Sequence, residues 1–289
     1  MTSFAAAPPG SATRHAPAAA RVRGTGVLGA LRELWDYRDL LLNLVGRDLA
    51  VRYKRSALGF LWSFLNPLLM MAVFWVVFQV VKPQNVRSYP LFVLAGLLPW
   101  NFLAGSLTTA VRSITSSGGI IDKVYFPREV LPLAAVAANL VNFLLSLVVF
   151  LPLAWLMGAE FSAWSLALPA IILVQVILVT GLSLLLSALN VFYRDTELVL
   201  DVGITAWFFL TPIFYELELL PNRFLGVDIW RLFYTLNPMA TLVTDYRYIL
   251  LYDYPVIRHT LVSLVIGLVL LAAGWAFFRH TAPRFTEEI

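Results

Sequence analysis

Six stretches of the chain carry no Asp, Glu, Lys or Arg, and the charged residues crowd the gaps between them. The stretches are 56–81, 88–111 (interrupted by Pro99), 130–159, 161–193, a shorter 202–215, and 260–278. An apolar run of about 18–20 residues is long enough to cross a bilayer as a helix. An open strand cannot satisfy its backbone in lipid, so helices are expected. The pattern predicts six membrane-spanning helices, the fifth extending a little into its flanks and the fourth longer than one crossing needs.

Two further segments are periodic without being long enough, or uncharged enough, to cross. Val27, Leu28, Leu31, Leu34 and Trp35 recur at helical spacing, and Leu41, Leu42, Val45 and Leu49 do so again. Arg32, Asp36, Arg47 and Arg52 lie off those stripes. Residues 27–55 therefore read as one or two amphipathic helices lying on the inner membrane surface. Between the fifth and sixth spans, IWRLFYTL and ATLVTDYRYILLY are separated by Asn237-Pro238. Two short helices dipping partway into the outer leaflet fit this pattern. Irregular backbone at that depth requires burial in protein or a water-lined cavity, so this pair is expected to cover the outer end of something.

Composition sharpens the assignment. The 289 residues are 60% hydrophobic and 13% charged, against about 45–50% and about 25% in soluble domains. Residues 1–26, rich in Ala, Pro, Gly and Ser, read as a disordered cytoplasmic tail without a signal-peptide apolar block. The chain contains no cysteine, which excludes thiol and disulfide chemistry. With both termini placed inside, fifteen of the 21 Lys and Arg residues lie on the inner side. The positive-inside rule thus favours two cytoplasmic termini.

Familiar chemistry is missing. No phosphate-binding loop of the form G-x-x-x-x-G-K-[ST] occurs. His15, His259 and His280 are scattered without metal-ligand spacing, so no metal is expected. The spans hold no ionisable group well inside, which argues against a proton- or sodium-coupled carrier. Asn66, Gln79, Asn101, Asn139, Asn142 and Gln175 are expected to hydrogen-bond between helices. The first span aligns Phe60, Phe64, Phe74, Trp75 and Phe78 with Met71 on one stripe, and the fifth aligns Trp207, Thr211 and Phe214. These aromatics serve either as packing or lipid-facing residues or as a sliding surface for sugar rings in a channel.

Six motifs then coincide in order. They are RELWDYRDLLLNLVGRDLAVRYKRSALGFLWSFLNPLLMM, YPLFVLAGLLPWNFL, GGIIDKVYFPREVLPL, ALNVFYRDTELVL, FFLTPIFY and LNPMATLVTDYRYILL. Together, over residues 28–280, they resemble the ABC-2 type permeases that export polysaccharides and teichoic acids. The resemblance implies an all-α membrane protein whose six spans dimerise with a second copy around a channel. It implies two separate ATP-binding subunits, which bind ATP and Mg and would explain the missing phosphate loop. The chain itself would be no enzyme and hold no cofactor. The expected cargo is a glycan or polyol-phosphate polymer linked through pyrophosphate to a polyprenyl lipid, with no nucleic acid involved. The short helices before the last span resemble the family's external gate helices. The chain would divide into a tail (1–26), an interface region (27–55), the ABC-2 type transmembrane domain (56–280) and a cytoplasmic C-terminal tail (281–289), all in a bacterial cytoplasmic membrane.

Two residue groups acquire roles within that frame. Arg47, Arg52, Lys54 and Arg55 lie beside the first span at the inner interface. They either anchor the topology or receive the lipid pyrophosphate, which Arg forks bidentately. In the loop after the second span, Gly118 and Gly119 allow a sharp entry into a short helix. Ile120, Ile121, Val124 and Tyr125 share one face of it, flanked by Asp122 and Lys123 and followed by Phe126 and Arg128. Lipid does not cover that face, and it is expected to couple to the ATPase. Two rival readings are an ABC-2 exporter of a drug or small lipid and a membrane-embedded transferase acting on polyprenyl-linked sugars. The transferase would need Glu216, Glu218 or Asp228 as its acid or base.

Overall fold

A computed structural model describes residues 27–53, scattered positions between 61 and 76, and 89–121, 126–159, 161, 163–216, 223–224, 227–252 and 258–288. Most of the expected first span lies outside the described residues, as do Phe60, Phe64, Phe74, Trp75 and Phe78. The chain forms two units, 1–36 and 37–289. The expected interface region therefore divides at Tyr37. Helix α1 (Val27–Asp36) belongs to the first unit and α2 (Arg38–Tyr53) to the second.

The second unit is a helical bundle. Its long helices are α3 (Tyr89–Ser113), α5 (Val130–Leu156), α6 (Leu168–Phe192) and α10 (Arg258–Thr281). With short 3₁₀ extensions on α6 and α10, these are the four described helices long and apolar enough to cross a membrane. They match the second, third, fourth and sixth apolar runs. Apolar side chains on their outer faces, such as Val148 on α5 and Val269 on α10, stay open to the surroundings. Such a surface suits lipid or a partner chain and not water.

Helix α3 sits at the centre. Every residue from Pro90 to Trp100 is buried, because α5, α6, α7 and α9 surround it. Among the described residues α6 and α10 share the most extensive helix contact, and glycine lets their backbones approach closely. A Cβ on Gly181 would lie 2.6 Å from the Leu270 carbonyl carbon, and one on Gly267 3.3 Å from the Leu178 nitrogen. Small residues at such crossings let backbones approach where lipid gives no hydrophobic drive.

The fifth expected span is corrected. Helix α7 runs Thr196–Leu210, only 15 residues, or about 22 Å at the helical rise. Pro212 explains why it stops short of Tyr215. The residue before proline is driven to extended backbone, and Thr211 sits at φ −99°, ψ 132°. Residues 211–216 continue without helix.

Four short helices follow among the described residues. Helix α4 (Gly118–Ile121) follows a 3₁₀ turn, Thr115–Ser117. Gly118 takes ordinary right-handed values, φ −49° and ψ −46°, so the expected sharp glycine entry is absent and the chain keeps coiling from the end of α3. Helices α8 (Ile229–Leu236) and α9 (Pro238–Arg247) are the two short helices expected before the last span. A π-helical turn, Tyr248–Tyr252, follows α9, and α11 (Phe285–Glu288) ends the chain's described part. One two-residue antiparallel ladder pairs Arg223–Phe224 (β1) with Val227–Asp228 (β2) and leaves the architecture helical.

Helix α2 does not present a single apolar face. Leu44 and Val45 are buried, while Leu42 and Val51 are exposed. It packs one side on α5 and leaves apolar groups on the other.

The glycine crossing generates a test. Gly181→Leu is expected to destabilise the purified protein by ~3 kcal/mol, since overpacking against backbone cannot relax through a rotamer. Gly203, in α7, has open space around its Cβ position. Gly203→Ala is expected to be neutral or stabilising by up to ~1 kcal/mol. Thermal unfolding in detergent distinguishes the two.

Candidate functional site

Two constructions stand out, one at each end of the bundle. At the Tyr89 end, α9 is buried along its whole length, and its last residues fasten it to three neighbours. The Asp245 carboxylate accepts a hydrogen bond from Thr260 Oγ1 on α10 at 2.6 Å. Tyr246 donates its hydroxyl proton to Gln175 Oε1 on α6 at 2.8 Å, and Gln175 Nε2 donates onward to the Pro99 carbonyl of α3 at 2.7 Å. Arg247, only 4% exposed, reaches the farthest. Its guanidinium donates to the carbonyls of Phe92 (3.1 Å), Pro212 (2.6 Å) and Ile213 (2.6 Å). It also lies 3.5 Å above the centroid of the Phe92 ring, a cation–π contact. Gly96 leaves room for it, since a Cβ there would sit 2.7 Å from Arg247 Nη2.

The irregular stretch after α7 is thereby satisfied inside the protein. Asn237 Nδ2 donates to the Leu210 carbonyl at 3.0 Å, and the Tyr89 hydroxyl donates to the Phe214 carbonyl. Asn237 is also the N-cap of α9: its Oδ1 accepts from the Met239 and Ala240 amides, with Pro238 in the first turn. The same oxygen accepts from Trp207 Nε1 at 2.8 Å. Trp207 lies edge-on to Trp100, and Phe214 edge-on to Phe208. Both expected channel aromatics of the fifth span are thus half-buried beside this anchor.

At the Ser113 end, a cavity of about 650 Å³ opens between α2, the end of α3 and the start of α5. Arg47, Asp48 and Arg112 line it with Thr108, Thr109, Ser113, Asn139 and Asn142. Arg47 pairs with Asp48 at 3.1 Å and Arg112 with Glu197, the latter joining α3 to the first turn of α7. Arg47 is the one expected pyrophosphate residue whose side chain is described. Arg52 contributes helical backbone only, and Lys54 and Arg55 lie outside the described residues. The cavity adds Arg112, which no local pattern had singled out.

The same end carries the expected coupling segment. Ile120 and Ile121 lie in helical backbone, and Asp122, Lys123, Val124 and Tyr125 fall outside the described residues. Phe126 is buried. Arg128 turns into the bundle, donating to the Ala282 carbonyl and, at 3.1 Å, to Thr286 Oγ1.

Two of the six neutral polar residues, Asn139 and Gln175, bond between helices as expected, while Asn66 is exposed and Gln79 lies outside the described residues. Asn139 donates from α5 to the Gly105 carbonyl of α3 at 3.3 Å, and Gln175 bridges α6 and α3. Asn190, not singled out in the sequence, donates to the Val111 carbonyl at 2.9 Å. Asn142 bonds its own helix at Ala138, and Asn101 is exposed. Of the transferase candidates, Glu216 accepts from the Tyr252 hydroxyl at 3.3 Å, Glu218 is outside the described residues, and Asp228 is described by backbone alone. Among the described residues no His, Cys, Asp and Glu cluster has metal-binding geometry.

The Arg247 anchor generates the second test. Arg247→Met removes the guanidinium donors from the Pro212 and Ile213 carbonyls, which lie outside any helix, each worth ~1–3 kcal/mol when left unmade. A stability loss of ~3 kcal/mol or more is expected, and Arg247→Lys recovers only part of it, because one ammonium nitrogen does not reproduce the planar spread of three guanidinium nitrogens over three carbonyls. Denaturation midpoints of the two variants beside the parent check this.

Comparison with known proteins places this architecture. Residues 39–251 match the ABC-2 type transporter family. An O-antigen export system permease protein, RfbA, of Myxococcus xanthus is 37% identical over 90% of this chain and 98% of its own length. The protein of the same description from Klebsiella pneumoniae is 34% identical over 86% of this chain and 94% of its own. The polysialic acid transport protein KpsM of Escherichia coli is 24% identical over 78% and 89%. With the family match covering most of its length and its long helices suited to lipid, this multi-pass membrane protein belongs to the ABC-2 type transporter family.

Proposed function

We propose that this chain is the permease subunit of an ATP-driven exporter. It carries a polysaccharide of the O-antigen or capsule kind, linked to polyprenyl pyrophosphate, across a bacterial cytoplasmic membrane. The observation that carries the reading is the near end-to-end likeness to the Myxococcus xanthus O-antigen export permease. Similarity of that extent includes the buried α9 and its connection to α10 as well as the spans. A second copy of the chain completes the channel, and two ATP-binding subunits supply hydrolysis with Mg.

Geometry supports a division of labour. Under the positive-inside assignment the Ser113 end is cytoplasmic and the Tyr89 end external. The cavity between α2, α3 and α5 then lies at the inner headgroup level. Its two arginines suit phosphate oxygens, its hydroxyls and carboxamides suit sugar hydroxyls, and Leu44, Leu131 and Ala134 line its apolar wall. At the opposite end α8 and α9 act as the external gate. The Gly118–Ile121 helix and the residues after it meet the ATPase. A drug or small-lipid cargo has no particular observation in its favour.

A chromosomal deletion tests the reading. Loss of the gene is expected to trap lipid-linked glycan on the cytoplasmic face and deplete it from the cell surface. Complementation with Arg47→Ala/Arg112→Ala is expected to restore under about a tenth of surface glycan, in line with loss of two charge-assisted contacts. Normal surface glycan in the deletion strain contradicts the function. Full complementation by the double variant contradicts the headgroup site alone.

A further inference from the structure

The connection leading out of the expected coupling segment, Phe126–Glu129, is gripped from the other end of the sequence. Glu129 is 7% exposed, and its carboxylate pairs with Arg279 at the end of α10 at 3.3 Å. The neighbouring Arg128 holds the turn after α10 through the Ala282 carbonyl and Thr286 Oγ1. Its guanidinium carbon lies 5.8 Å from the centroid of Phe285. Phe285 is fully buried, edge-on to Phe278 of α10 at 5.3 Å and tilted against Phe192 of α6 at 5.9 Å. Two consecutive charged residues thus lock the connection to one helix end.

That helix leads to the opposite side of the bundle. Arg279 and Thr260 stand 19 residues apart on α10, about 28 Å along the helical rise and close to the thickness of a bilayer core. Thr260 holds the Asp245 carboxylate of α9, and Ser263 Oγ donates to the Pro238 carbonyl at its start. The glycine crossing with α6 leaves α10 little freedom to bend or tilt independently along its middle.

Resting on the permease reading above, we propose that α10 is the rod that carries movement of the coupling segment to the external helices, with Glu129–Arg279 and Thr260–Asp245 as its two positioning joints. A side chain at either joint touches neither cargo nor nucleotide. Each sets how far displacement at one end is felt at the other. Packing alone along α3 and α5 would connect the coupling segment to its own two helices. Helix α3 also packs on α9, so the ion pair adds a second route, through a helix whose far end bonds α9 by the side chains of Thr260 and Ser263.

The absence of cysteine in the chain provides a clean probe. Leu236, exposed at the turn between α8 and α9, is replaced by Cys in the permease purified with its ATPase. Labelling of the permease by a membrane-impermeant maleimide is then followed with and without ATP, with no polysaccharide present. ATP is expected to change the labelling rate by about fivefold in the Leu236→Cys parent, and Glu129→Gln or Thr260→Val to abolish that change, with ATPase co-purification and hydrolysis kept within about twofold. Arg279→Lys, which keeps the charge, is expected to retain most of the response. An unaltered response in either uncoupling variant that assembles overturns the proposal, as does no response in an assembled parent. Loss of hydrolysis together with the response in both variants also overturns it, because the joints would then serve ATPase docking. Failure of the parent to capture an ATPase at all is a different result and counts against the permease reading itself.

Discussion

A buried guanidinium is tolerable only when its charge and its donors are answered, and main-chain carbonyls are among the groups that answer Arg247. Three carbonyls and one aromatic face receive it. The two carbonyls outside a helix, those of Pro212 and Ile213, need the donor as much as the cation needs the acceptors. The Pro212 and Ile213 oxygens belong to backbone that has left its helix, inside a bundle whose interior supplies little else to bond. Pro212 ends α7, and the guanidinium of α9 answers the carbonyls that this stop leaves outside a helix. The Tyr89 end of the bundle is organised around this exchange.

The neighbouring residues extend the same logic. Asp245, Tyr246 and Arg247 follow one another, so on a helix they point about 100° apart. Each therefore finds a different wall: α10, α6, and α3 with the α7 break. A short helix that could not stand alone in water is held by the directional bonds of three consecutive side chains and by complete burial. Polar satisfaction makes its position specific, whereas apolar packing alone would allow it to slide.

The long helices were legible in the sequence because their signal is local. An uncharged run of sufficient length is its own evidence, and α3, α5, α6 and α10 fall where the runs fall. The paired short helices were legible for a similar reason, with Asn237-Pro238 marking a cap. The end of α7 was less so: an apolar run through Tyr215 hid a stop that Pro212 imposes. The anchors escaped altogether. Arg247 reads as a loop charge, since its acceptors lie 155, 35 and 34 residues away and are backbone atoms without sequence identity. Glu129 and Arg279 likewise look like ordinary flanking charges until the fold brings them together. Arg47 was visible as part of a basic cluster, but its cavity partner Arg112 sits at the far end of another helix.

These features describe a permease whose two ends are built differently, with hydroxyls and ion-paired arginines at one and side chains bonded to main-chain carbonyls at the other. The most direct measurement is export in proteoliposomes containing the purified permease, its ATPase and lipid-linked glycan loaded on one face. The account predicts that glycan becomes accessible to an added glycosidase on the opposite face only while ATP is hydrolysed. Equal accessibility without the ATPase subunit, or none with the complete complex and ATP, would contradict it.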